Sequence, residues 1–167
     1  MNASYFQTFA RYNEWANARL YDASAKLDDS EYFKPRQAFF GSIHATLNHL
    51  LVGDRIWLSR IEGTQHGIKA LNQILHDDLK SLRSARAAED AHIIAVVDGL
   101  DDRALLTTRS YRNTTGYRFE TRLDWILAHV FNHETHHRAQ VHDMLSQTPV
   151  APPPLDLIFY FRDHPPA

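Results

Sequence analysis

Asn132-His133-Glu134-Thr135-His136-His137-Arg138-Ala139-Gln140 sets two imidazoles, His133 and His137, four residues apart inside an amphipathic helical pattern. Four residues is about one helical turn, so the pair shares a face and can hold one metal ion. Outward from it, Ile126, Val130, His133, His137, Val141 and Met144 or Leu145 recur at helical spacing, which puts both histidines on the stripe that should face a core. Spacing alone is weak evidence, because 11 histidines in 167 residues give roughly 0.7 such pairs by chance. His129 also stands four residues before His133, but it runs with Trp125, Asn132, His136 and Gln140 along a more polar line. The plain alternative for His133 and His137 is a pair of hydrogen-bonded core histidines.

The chain around this motif has the size of one ordinary domain, residues 1–167, long enough to bury a core without disulfides. Cysteine is absent, which leaves imidazole and carboxylate as the metal-binding chemistry and requires any reacting thiol to come from a substrate. The formal net charge of −2 and the lack of a dense basic run argue against a nucleic-acid partner. Met1 to Tyr12 does not pattern as a targeting signal, and no apolar run approaches the length of a membrane span. The expectation is a soluble cytoplasmic protein.

Four long helical patterns follow from periodicity. The first runs from Ser4, as N-cap, to Lys26; the second from about Gly41 to Glu62, ended by Gly63. The connection Asp28 to Phe40, with Pro35, should be irregular. The third starts between Leu71 and Asp77 and runs to Leu100, closed by Gly99 and Asp101-Asp102. Leu105 to Phe119 carries β-branched and aromatic residues around Asn113-Thr114-Thr115-Gly116 and suits a short hairpin. The fourth helix spans about Thr121 to Ser146 and is stopped by Pro149 and Pro152-Pro153-Pro154, after which Leu155 to Phe161 packs back on the body. The fold class is therefore all-α, a four-helix bundle with a β-hairpin between its third and fourth helices, and such bundles build metal sites between facing helices.

Two histidines rarely complete a metal site, so another helix should supply a third ligand. The second helix offers His44, near its start, and His49, on a line with Ala45, Val52, Gly53 and Ile56 that leaves room for an ion. A core histidine bonded to a carbonyl or to Asp54 is the plain alternative for His49.

Thr46-Leu47-Asn48-His49-Leu50-Leu51-Val52-Gly53-Asp54-Arg55-Ile56-Trp57-Leu58 and Asn132 to Gln140 resemble two signatures of the DinB/YfiT-like metalloenzyme family, and Tyr12-Asn13-Glu14-Trp15-Ala16-Asn17 resembles a third. Ala139 stands where that family commonly has glycine. The resemblance covers nearly the whole chain and implies an up-down-down-up four-helix bundle, usually a homodimer, with one divalent metal held by three histidines. On matching positions these ligands are His49, His133 and His137. Zinc or nickel is the first expectation for the ion, and iron and manganese also accept imidazole.

Three neutral imidazoles leave a divalent charge almost unscreened, with a position open to water or substrate. That chemistry suits a metal-dependent hydrolase or a thiol S-transferase acting on a small molecule, and the family resemblance implies that the thiol would be of low molecular weight. Asp54, Glu14, Asp124, Glu134 and Asn132 are candidates to orient the ligand histidines through their second ring nitrogens. Arg138 is expected to snorkel towards an acid on a neighbouring helix. Trp15, Trp57 and Trp125 would be core, or would line a substrate cavity. A rival reading takes His133-Glu134-Thr135-His136-His137 as the zincin pattern, with Glu134 as catalytic base. A non-enzymatic reading makes the histidines a structural clip in a bundle that binds a ligand or partner.

Overall fold

The computed structural model describes residues 1–165. In chain order its elements are α1 (Ala3–Ser24), α2 (Asp29–Tyr32), α3 (Ile43–Glu62), α4 (Leu79–Asp98), α5 (Asp102–Leu105), β1 (Thr108–Arg112), β2 (Arg118–Arg122), α6 (Leu123–Ser146) and α7 (Leu157–Asp163). Pro166 and Ala167, the end of the expected single domain, lie outside the described residues.

Local hydrogen bonds explain where the helices begin. Asn2, not Ser4, caps α1, its side chain accepting from the Tyr5 amide at 2.9 Å. Ser42 caps α3 in the same way through the Ala45 amide, and Gly63 ends that helix in the left-handed region at φ 72°. The third long helix begins at Leu79, later than its composition suggests, because Asp78 is the cap and the segment before it is committed elsewhere. Asn48 Oδ1, on α3, accepts from the amides of Leu75 and His76 at 2.8 and 3.1 Å and pins that segment as a loop. Asp101 caps the one-turn α5 and so opens a helix where it was expected only to close one. The connection expected to be irregular likewise contains the single turn α2.

The hairpin pairs Thr108 with Arg122 at its open end and Arg112 with Arg118 at its turn, where Asn113 Oδ1 accepts from the Thr115 and Tyr117 amides. Its second strand continues through Thr121 and Arg122, so α6 starts at Leu123. No helix among the described residues is long and apolar enough to cross a membrane.

The four long helices pack in a ring, α1 and α3 each lying against both α4 and α6. Cross-helix pairs give their directions. Arg11 meets Asp98 and Asp22 meets Arg83, so α1 and α4 are antiparallel. Asp54 meets Arg86 and Glu62 meets His92, so α3 and α4 are parallel. His49 meets His137 and Trp57 meets His129, so α3 and α6 are antiparallel.

Two apolar clusters fill the bundle, one around Phe6, Leu58, Ile93 and Ile126, the other around Leu20, Leu47, Leu82 and Met144. Between them each helix contributes buried polar side chains at one level: Asn13 and Asn17 from α1, Asp54 from α3, Arg86 and Asp90 from α4, Glu134 and Arg138 from α6. Charges survive in a low-dielectric interior only when paired, and these are. Arg86 Nη1 donates to Asp54 at 2.6 Å, Arg138 Nη1 donates to Glu134 at 3.1 Å, and Asn13 and Asn17 both donate to Asp90. The same asparagines accept from Arg138, which ties α1 to α6.

Candidate metal centre

His49 on α3 and His133 and His137 on α6 meet beside this polar layer. His49 Nε2 lies 3.1 Å from His133 Nε2 and 3.2 Å from His137 Nε2, and one ligand atom from each of the three lies within 4.8 Å of the others. Two nitrogens on a tetrahedral zinc are about 3.3 Å apart, given Zn–N bonds of about 2.0–2.1 Å, so the cluster has the dimensions of a metal-ligand set.

Protonation points the same way. His49 Nδ1 is 2.8 Å from the Leu71 carbonyl, which can only accept, so the proton sits on Nδ1 and Nε2 presents a lone pair. His137 Nδ1 is 2.8 Å from Gln140 Oε1, while Gln140 Nε2 faces His136, and the same assignment follows for His137. Lone pairs at 3.2 Å with no proton between them repel unless a cation joins them. Burial lowers the pKa of all three imidazoles, that of His133 to about 3, so all are neutral and able to ligate near pH 7.

His133 is placed by shape. A Cβ at Gly53 would stand 2.7 Å from His133 Cε1, so only glycine at this point of α3 admits the ring. Phe40 stacks on His49 with ring centroids 3.8 Å apart and meets His137 edge-on, closing one side. A surface groove of about 400 Å³ is lined by Gln37, Phe39, His136 and Gln140, the last being the partner of His137.

Of the residues singled out in the sequence, the three ligand candidates come together and the expected supports do not. Asp54 and Glu134 belong to the buried ion-pair layer, Asp124 pairs with Arg122 at 2.7 Å, Glu14 lines a cavity between α1 and α4, and Asn132 is exposed. The observed partners are a backbone carbonyl, which no side-chain pattern announces, and Gln140, three residues after His137 on the same helix. His44, the other candidate on α3, instead contacts Tyr32 Oη at 3.1 Å. Arg138 does not snorkel; it is buried, bound to Glu134 on its own helix and to asparagines of α1. Trp125 is 61 % exposed and so neither core nor lining of this site, whereas Trp57 packs against His129.

Glu134 is not the base that the zincin reading requires. It is fully buried, with one oxygen 3.1 Å from Arg138 and the other 3.9 Å from Arg86. Burial alone would raise its pKa, but Arg86 and Arg138 outweigh burial and hold it below the ordinary value. Asp54 moves the opposite way, raised well above its ordinary value by burial and then by the Glu134 charge.

The comparisons agree with this architecture. The DinB family profile matches residues 1–165. Protein DinB of Bacillus subtilis (strain 168) is 27 % identical over 160 residues, covering 89 % of each chain. The crystal structure of a DinB-like protein from Bacillus cereus ATCC 10987 superposes with a TM-score of 0.66 at 15 % identity, over 87 % of this chain and 94 % of that one. The chain is a helical bundle with a short hairpin and a three-histidine cluster, and it belongs to the DinB family.

Proposed function

We propose that His49, His133 and His137 hold one divalent metal ion and that the protein is a metal-dependent enzyme of hydrolase or thiol S-transferase type acting on a small molecule. The observation that carries this reading is the convergence of Nε2 lone pairs, with the Nδ1 atoms of His49 and His137 committed to Leu71 and Gln140. Such an ion supplies Lewis acidity, lowering the proton affinity of a water or substrate thiol that reaches it. A cluster of three ligand-bearing side chains suits catalysis better than a structural clip, because catalytic zinc sites keep three protein ligands and one position for substrate.

The protein's own groups orient and shield. The Leu71 carbonyl and Gln140 hold two imidazoles in one tautomer and fix their rings. Phe40 keeps water from one face of His49, and Gln140, which holds His137, also lines a surface groove with Phe39. The same proposal includes a cytoplasmic homodimer, its assembly tested by light scattering.

The test is elemental analysis of untagged protein purified without added metal or chelator, beside the His49→Ala/His133→Ala/His137→Ala variant. About one ion per chain in the parent and none in the variant is expected. Hydrolysis and thiol transfer are then screened on the loaded protein, and a requirement for added thiol distinguishes them. No ion in the parent, even after reconstitution with zinc or nickel, returns the cluster to the reading of core histidines.

A further inference from the structure

On the face of the bundle formed by α1 and α4, away from the histidines, lies a cavity of about 610 Å³. That volume is typical of small-molecule pockets. Its walls include Trp15, Tyr160 and Ile94, and the exposed Ala18 and Ala87, one on each helix, leave the mouth open. Trp15 and Tyr160 meet edge to face with centroids 5.8 Å apart and form an aromatic wall.

The lining also includes two polar groups that the protein leaves unserved. Tyr21 is 1 % exposed and, among the described residues, its hydroxyl has no hydrogen-bond partner. Arg86 is 2 % exposed; its Nη1 is taken by Asp54, its Nε has no acceptor, and its Nη2 lies 3.0 Å from Asp90 without hydrogen-bond geometry. Buried donors without acceptors are rare in folded proteins, and here they belong to residues that line a space large enough to hold an acceptor.

We propose that this cavity is a second binding site, for a planar, uncharged small molecule whose carbonyl oxygen accepts from Tyr21 and Arg86. Planarity follows from the Trp15 and Tyr160 wall. Neutrality follows from the surrounding charge. Arg86 and Arg138 already face three carboxyl groups, those of Asp54, Asp90 and Glu134, so an added anion would enter an environment with no cation to spare. At the rim Arg11 is paired with Asp98 and Arg83 with Asp22, so among the described residues neither arginine of the mouth is free.

The experiment titrates benzamide, and benzoate as its anionic counterpart, into the full-length metal-loaded protein while following the Trp15 indole N–H resonance, assigned with Trp15→Phe. Benzamide is expected to shift that resonance saturably at about millimolar concentration, an affinity within reach of a ligand of its size. Ala87→Trp, which fills the mouth from an exposed position, should abolish the shift, and Ala18→Phe should do so from the opposite wall. Tyr21→Phe should weaken benzamide about fivefold, the worth of one neutral hydrogen bond, without lowering the thermal midpoint. No saturable shift, a shift that survives both plugging variants, or tighter binding of benzoate overturns the proposal. So does a Tyr21→Phe variant that loses stability but keeps benzamide affinity, because the hydroxyl would then serve the fold.

Discussion

Gly53 on α3 and His133 on α6 are complementary: the absence of a side chain on one is the space occupied by the ring of the other, with 2.7 Å between His133 Cε1 and the position of a Cβ on residue 53. Glycine inside a helix costs about 1 kcal/mol relative to alanine, so its presence at mid-helix needs a reason, and the ring supplies one. Gly53→Ala is expected to push His133 out of line and weaken zinc binding at least about tenfold, or about 1.4 kcal/mol. The metal-free variant should keep its helical circular dichroism and melt no earlier than the parent, since the ring can swing away and alanine favours the helix. Calorimetric titration of metal-free protein with zinc checks this, and unchanged affinity would refute it.

Gln140 fixes the tautomer and tilt of His137 through a 2.8 Å contact at Nδ1. Loss of such a partner typically costs about 10–100-fold in metal affinity. Gln140→Leu should therefore lower zinc affinity by that order with little change in unfolding midpoint, because Gln140 is only partly buried. An affinity equal to the parent's would show that His137 needs no such support.

Metal-free protein should lose stability in acid through the histidine cluster. In the unfolded chain a histidine takes up its proton near pH 6.5, whereas burial holds the folded cluster lower, His133 at about 3. Between these values the unfolded state binds more protons, so the contribution is fully present above about pH 6.5 and is lost as pH falls towards 3. Urea midpoints at pH 7 and pH 5 should drop more steeply in the parent than in the triple histidine-to-alanine variant. Parallel pH profiles would contradict the assignment.

Arg86 is the cation on which the polar layer depends, with Asp54 at 2.6 Å, Asp90 at 3.0 Å and Glu134 at 3.9 Å. Arg86→Met leaves those carboxyl groups without it, and removing one partner of a buried pair typically costs about 3–5 kcal/mol. A urea denaturation series should show a loss of that size or failure to fold. A change below about 1 kcal/mol would mean that the acids are neutral in the folded protein.

The four long helices and the hairpin were legible because each depends on periodicity and local capping. The boundaries that slipped did so where a distant residue intervened. Leu71 to Asp78 reads as helix by composition, yet Asn48 and His49 recruit two of its backbone amides and two of its carbonyls across more than 20 positions. The α6 half of the site was equally plain, since His133 and His137 share a helix and their spacing is local.

Which histidine of α3 would join them could be read from spacing only as a choice between His44 and His49, narrowed by the family resemblance. The sequence by itself determined the helices, the His133 and His137 pair, and the glycine that makes room beside it. Tertiary structure alone decided that His49 and not His44 turns to the cluster, that Leu71 and not an acid orients it, and that Glu134 lies between arginines instead of facing it. The physical reason is that each of these outcomes depends on the axial register between helices. That register is set by how two apolar clusters and one layer of paired charges fit together, a sum over residues far apart in the chain that no local pattern contains.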